Sequence, residues 1–476
     1  MSPRNLTPDQ SDHISPMVWK ISSVVLLGPL MTNLDSTAVN VSLSSLSTEL
    51  HAPLSQIQWV TSGYLLALAL MLPLSGWLVN RVGTKRVYIL CFSLFTIASL
   101  LCGLATSAGV LIAFRILQGM VGGLIAPMAQ MMIARIAGPH MARVMGFAAV
   151  PVLIGPVFGP VLAGAILQHA NWRWIFFINL PIGLLATALT IYVLPKDDDQ
   201  VQPQTFDLAG FLLLSPSLVL LLHSLDSLSS NSAAKFFSIA ELMIAITLVL
   251  LFVWHGKRWG GAALIDINLF RRRAFSTAAI IQFLSNAMLL GGQLLVPLYL
   301  LLVLHQSPSS TGLLLVPAGL GSLLYPIMGY LMERFGARLV AVWGAGLALL
   351  GTLPFVLFKD SNLPVALLCA SLFVRGVGLG AVNIPSFTVA YSAIPQSMIP
   401  AATTSLNIVQ RVGGPVATTL LAIYLHHSMQ IHVADPPKAF IATFWLLCII
   451  HIAGIVAVVR LPNREQQHPT TNSRKI

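Results

Sequence analysis

Asp35 stands in the stretch Leu34-Asp35-Ser36-Thr37-Ala38-Val39-Asn40, inside the first long apolar run of the chain. A carboxylate in the interior of a bilayer costs about 2.5–3.5 kcal/mol on insertion scales, so it is kept there for a partner or a function. The chemistry such an acid offers is reversible proton binding. Three arginines, Arg115, Arg375 and Arg411, also fall within apolar runs and carry the same cost. Amide side chains accompany them: Asn40, Gln118, Gln282, Asn286, Gln293, Asn383, Asn407 and Gln410. Each either lines a polar cavity or ties neighbouring helices together by hydrogen bonds. Gln282, Asn286 and Gln293 are spaced by four and seven, which brings them to one face of a helix.

The elements that must hold these residues are legible in the composition. Hydrophobic residues make up 56% of the 476 and charged residues only 9%, against roughly 25% charged in ordinary soluble proteins. That excludes a water-soluble globule and implies an all-α membrane protein. Windows of about 19 residues give fourteen candidate spans, near 18–42, 57–79, 87–106, 109–132, 144–168, 174–194, 208–227, 236–256, 274–303, 310–331, 338–358, 363–392, 404–427 and 439–461.

The net charge of +11 reports topology and calls for no nucleic-acid partner. Of the 26 lysines and arginines, nineteen fall on one side of such a chain, while the opposite loops hold only Arg173, Lys235, Lys359 and Lys438. The positive-inside rule puts the nineteen, and both termini, in the cytoplasm. The expected location is the cell membrane, the inner one in a Gram-negative bacterium. The first apolar run lacks a following small-residue cleavage site and reads as a retained helix with no signal peptide. Cys91, Cys102, Cys369 and Cys448 lie in or at the ends of spans without metal-ligand spacing and read as packing residues.

An internal repeat organises the spans. Gly76-Trp77-Leu78-Val79-Asn80-Arg81-Val82-Gly83-Thr84-Lys85 returns as Gly329-Tyr330-Leu331-Met332-Glu333-Arg334-Phe335-Gly336-Ala337-Arg338, displaced by 253 residues. Gly155-Pro156 returns as Gly414-Pro415, displaced by 259, and Pro127 as Pro385, displaced by 258. Two related six-helix halves follow, expected over 18–194 and 266–461. Between them, residues 195–265 form a linker with Asp197, Asp198 and Asp199 and an inserted helix pair, and short cytoplasmic tails cover 1–17 and 462–476. Duplicated halves place a substrate site near the bilayer midplane and expose it alternately to each side by rocking.

With these motifs in view, the chain resembles the major facilitator superfamily, and within it the fourteen-helix drug/proton antiporters, over nearly its whole length. The stretch from Leu34 to Val41 resembles that group's helix-one motif, whose acid is implicated in proton coupling; here the acid is Asp35 and the accompanying amide Asn40. Arg115-Ile116-Leu117-Gln118-Gly119 resembles the helix-four motif, and the resemblance puts Arg115 near Asp35. Burial and a neighbouring guanidinium act on a carboxylate's proton affinity in opposite senses, so conformation could switch proton binding.

Gly76, Arg81, Gly83, Lys85 and Arg86 resemble the signature loop between helices two and three. The family has an acid where Asn80 stands, thought to form a charge contact that steadies one conformational state; the second copy keeps one as Glu333, beside Arg334. Gly155, Pro156, Gly159, Pro160 and Gly164 match the helix-five motif of antiporters, whose glycines allow close helix approach and whose prolines bend the backbone. Asn171 to Pro181 resembles the entry into helix six and reads as an aromatic interface belt.

The resemblance implies a proton-coupled secondary transporter with lipid, protons and a small molecule as its partners. A phosphate-binding loop for ATP is absent, so an ion gradient is the energy source and no cofactor is called for. A zinc helix or nucleophile elbow of an intramembrane enzyme is absent as well. Export of small amphipathic molecules is the expected activity. One deep aspartate against three arginines leans the other way, toward export of an organic anion such as a carboxylate metabolite or siderophore. Import is a further alternative, since alternating access is reversible.

Overall fold

Each apolar run folds into helix. The structure, a computed structural model, describes residues 14–197, 205–229, 235–260, 263–358, 364–433 and 435–462, with no strand among them. Side chains of 151–154, Pro156 and Val157 lie outside the described set, as do Asp198, Asp199 and Lys359.

The first helix, α1 (Pro16–Glu49), begins on Ser15, whose hydroxyl accepts from the Met17 amide, with Pro16 supplying the fixed φ of a first turn. Next comes α2, two pieces, Leu54–Met71 and Leu74–Val82, bent by 56° where Pro73 withholds an amide hydrogen. The first group continues with α3 (Thr84–Gly103), α4 (Ala108–Ile136), α5 (Met141–His169) and α6 (Arg173–Val193). The inserted pair is α7 (Leu208–Ser229) and α8 (Lys235–Trp259). The second group is α9 (Arg273–Leu302), α10 (Ser309–Phe335), α11 (Ala337–Leu357), α12 (Val365–Ser392), α13 (Ile399–Ile431) and α14 (Pro436–Val459).

By length and apolarity, twelve described helices can cross a bilayer, or thirteen with the bent pair, against the fourteen expected. The remaining expected span falls on α5, a continuous helix of 29 residues of which the described apolar part is Met141–Val150. The structure therefore leaves the count at twelve or thirteen.

Packing explains how the groups sit together. Helices α1 to α6 pack among themselves, as do α9 to α14, and α7 lies against both α2 and α13 while α8 packs outside it. Water drives no association inside a bilayer, so close backbone approach matters more than apolar area. Gly119 and Gly123 of α4 sit directly on the backbones of Tyr64 and Leu68, leaving no room for a Cβ.

One large cluster of buried side chains, from Phe92 and Met128 through Met145 to Met328 and Phe387, runs through both groups. It lies at the end that carries Lys85, Arg86, Arg135, Arg143, Arg334 and Arg338. Toward the opposite end the cores are separate, one around Val39, Leu111, Trp172 and Phe176, the other around Tyr299, Phe355, Phe440 and Phe444. The two groups thus join at the basic end. At the other end Val161 of α5 is 68% exposed and Leu313 of α10 is 73% exposed.

Candidate functional site

Asp35 is buried in the middle of α1 and is held by three donors. Arg115 Nη1 donates to Oδ2 at 2.5 Å. Asn179 Nδ2 from α6 and Gln118 Nε2 from α4 donate to Oδ1 at 2.7 and 3.3 Å. Arg115 is wholly buried and is itself fixed on three sides. Its Nε donates to the Val60 carbonyl at 3.2 Å, its Nη1 also reaches Gln118 Oε1 at 2.8 Å, and its guanidinium lies 4.1 Å from the centre of the Tyr64 ring. The arrangement is a closed ion pair whose carboxylate can be neutralised by one proton, with four helices bearing on it. Breaking such a pair leaves an uncompensated buried charge, at a cost of about 3–5 kcal/mol.

Local sequence explains the placement. Arg115, Gly119 and Gly123 are four apart and share a face of α4. The two glycines let that face approach α2 closely enough for Arg115 to reach the Val60 carbonyl. On the other side of α1, Gly155 and Gly159 of α5 seat against Asn33 and Thr37, and Thr37 Oγ1 donates to the Gly155 carbonyl at 3.0 Å. The helix-five glycines therefore grip the turns of α1 on either side of Asp35. Pro160 is exposed, Gly164 faces open space, and the side chain of Pro156 lies outside the described residues.

The signature loop divides into two unequal latches. In the first copy Gly83 takes φ +97°, and Asp197 from the end of α6 receives the Lys85 and Arg86 amides at 3.0 and 3.1 Å. Lys85 Nζ reaches the Ile191 and Leu194 carbonyls at 2.7 and 2.8 Å, while Arg81 and Arg86 are exposed and Asn80 is half-buried. Gly76 approaches the Pro400 backbone, and Ser75 Oγ meets Thr404 Oγ1 of α13 at 3.0 Å, so this latch between the groups is neutral. In the second copy Gly329 sits on the Ala142 backbone, and Arg143 Nε meets Glu333 Oε2 at 2.5 Å, with His140 3.7 Å from the same carboxylate. Arg334 lies 5.3 Å from the Phe335 ring centre.

The amides expected in a cavity scatter. Gln118 belongs to the Asp35 network. Gln282 is buried and bonds the Asn383 carbonyl and Ser386 Oγ at 3.2 and 2.7 Å, a tie between α9 and α12. Asn40 and Gln293 are exposed; an offset of five turns Asn40 away from Asp35, whereas Gln293 keeps the face of Asn286 two turns further along α9. Asn286 is half-buried with its Oδ1 unpartnered. Asn407 Nδ2 crosses between the groups to Gln130 Oε1 at 2.7 Å. Arg375 is buried, donating to the Met288 carbonyl at 2.5 Å against Gly292. Arg411 is half-buried and forms no ion pair with a described residue.

Sequence inspection missed three parts of the site. Asn179 falls within the stretch that reads as an aromatic belt, although its polarity amid Phe177, Ile178 and Leu180 marks it out. Tyr64 and Val60 carried no sign of their role. The belt itself turns inward: Trp172 and Phe176 are buried, and Trp174 is exposed. His223 and Glu241 meet at 2.8 Å in the inserted pair. The four cysteines are free, and three of them are buried.

Comparison with known proteins adds four findings. The sequence pattern defining the Major Facilitator Superfamily matches residues 25–418. A Mycobacterium tuberculosis protein named multidrug resistance protein B homolog is 34% identical over 434 residues, covering 90% of this chain and 80% of that protein. A Salmonella typhi protein named MdtD is 30% identical over 466 residues, covering 95% and 97%. Among solved structures, the proton:xylose symporter XylE superposes with a TM-score of 0.65 at 17% identity, over 95% of this chain and 97% of that one.

Proposed function

The chain belongs to the Major Facilitator Superfamily as a multi-pass membrane transporter, and we propose that it exports small amphipathic molecules in exchange for protons. The observation that carries this reading is the buried Asp35–Arg115 pair, a single protonatable carboxylate locked between four helices of the first group. Similarity to a protein named for multidrug resistance supports export and a broad substrate range.

The cycle runs as follows. With the basic end in the cytoplasm, the two groups are joined there and parted on the outer side, so this conformation faces outward. Asp35 takes up a proton from that side, and its neutral carboxyl loosens Arg115. The released guanidinium no longer fastens α1 to α4 with full charge-assisted strength, which favours rearrangement toward the inward-facing state. Substrate entering from the cytoplasm then favours proton release inward. The groups rock about the seam, with Arg143–Glu333 and Ser75–Thr404 as the contacts that part. The resemblance to antiporters supplies the direction, and Gly155 and Gly159 support it only as close-packing positions.

The test is accumulation of a fluorescent amphipathic dye in inverted vesicles energised by respiration. Accumulation that a protonophore abolishes is the expected result; accumulation indifferent to the protonophore would refute proton coupling.

A further inference from the structure

The three arginines within the spans are not equivalent. Arg115 is neutralised by Asp35. Arg375 is buried and turned onto the backbone of α9. Arg411 alone keeps part of its surface exposed, and no acid among the described residues pairs with it.

Its position follows from helical spacing. Asn407 lies one turn before Arg411 on the same face of α13, and Asn407 bonds Gln130 of the first group across the seam. Arg411 is therefore one turn further from the joined basic end, facing the first group across the seam. One turn beyond, Gly414 lies against the unpartnered Asn286 Oδ1. The spacing from Asn407 thus sets Arg411 just beyond the seam, at the closed end of the opening between the groups. The repeat gives no counterpart: displacements of 258 and 259 lead back from Arg411 to Leu153 and Val152.

A lone guanidinium at the closed end of a cleft walled by apolar helices focuses positive potential into it. Its desolvation cost stays uncompensated until an anion arrives. We infer that Arg411 is the recognition residue for an acidic group on the substrate, so that the amphipathic molecules exported carry a carboxylate, sulfonate or phosphate. A guanidinium suits any of these because its planar fork matches two oxygens at once.

This inference rests on the export reading, and one experiment separates the two. Inverted vesicles holding a pH gradient receive an amphipathic aryl carboxylate, the primary amide of the same acid, or a lipophilic cation, and substrate-evoked proton movement is followed. In the wild type the carboxylate should act at a concentration about tenfold or more below the amide, as expected for a charge-assisted hydrogen bond. Arg411→Gln should bring the two within about twofold, and Arg411→Lys should keep part of the preference. Equal potency of amide and carboxylate in the wild type, a response to the cation alone, or an Arg411→Gln preference unchanged from wild type would overturn the assignment of Arg411 while leaving proton-coupled export standing. Silence toward all three in the wild type would overturn both. The wild-type comparison decides even if a variant fails to insert.

Discussion

Arg375 donates to the backbone carbonyl of Met288 at 2.5 Å in the place where Arg115, in the other half, meets Asp35. Displacement by 260 carries Arg115 to Arg375, and displacement by 253 carries Asp35 to Met288. The duplication has kept the cation in both halves and the acid in one. In the second half the corresponding contact is a tie between helices, and in the proposed cycle Asp35 is the carboxylate that carries the proton. Arg375→Met should weaken folding, read as a lower melting temperature in detergent, while retaining proton coupling in whatever protein inserts; loss of coupling in a well-folded variant would show that both halves carry protons.

Removing either partner of the Asp35–Arg115 pair leaves the other's charge buried. Arg115→Met should cost about 3–5 kcal/mol of stability, seen as reduced membrane yield and melting temperature. Asp35→Asn keeps an oxygen that still accepts from Asn179 and Arg115 and should lose less, with a yield between those of Arg115→Met and wild type.

Asn179, which its sequence surroundings assign to the aromatic belt, makes the shorter of the two amide contacts to Asp35 Oδ1. Asn179→Ala should remove about 1–3 kcal/mol of support from the buried carboxylate. The expected outcome is slowed but still gradient-driven transport, measured as initial rate in energised vesicles. A wild-type rate would show that Gln118 and Arg115 suffice.

How much of this was legible beforehand depends on the interaction involved. The spans appear because lipid demands long apolar helices, and observed edges such as Arg273–Leu302 fall close to the expected 274–303. Asp35 and Arg115 were legible because a charge in lipid needs a partner. Amides carry no such cost signal: Gln282 could line a cavity or tie helices, and only its contacts with Asn383 and Ser386 decide. Asp197 looked like part of a solvated linker, whereas its carboxylate receives the two amides at the start of α3. That is a long-range contact which no local pattern encodes.

The latches predict an asymmetry. Adding 258 to Arg143 gives Ala401, so the neutral latch lacks the arginine as well as the acid. Asn80→Asp should then change transport by less than about twofold, since the added charge finds no arginine opposite it across the seam. Glu333→Gln removes the Arg143 contact and should shift the protein toward the inward-facing state, read as faster labelling of a cysteine placed at Ala142, which is buried in the seam. Equal effects of the two substitutions would contradict the asymmetry.

Ser75 and Thr404 offer a lock. Their hydroxyls are 3.0 Å apart across the seam, close enough for a disulfide after Ser75→Cys and Thr404→Cys. Oxidation should trap the outward-facing state and stop transport, and a reductant should restore it. Transport by the oxidised, crosslinked protein would mean that this contact does not part during the cycle.

The most direct test of the central claim compares wild type and Asp35→Asn in inverted vesicles, measuring substrate-evoked collapse of an imposed pH gradient alongside downhill exchange of labelled substrate. Collapse lost in the variant with exchange retained is the predicted result, placing the coupled proton on Asp35. Undiminished collapse in Asp35→Asn would contradict it.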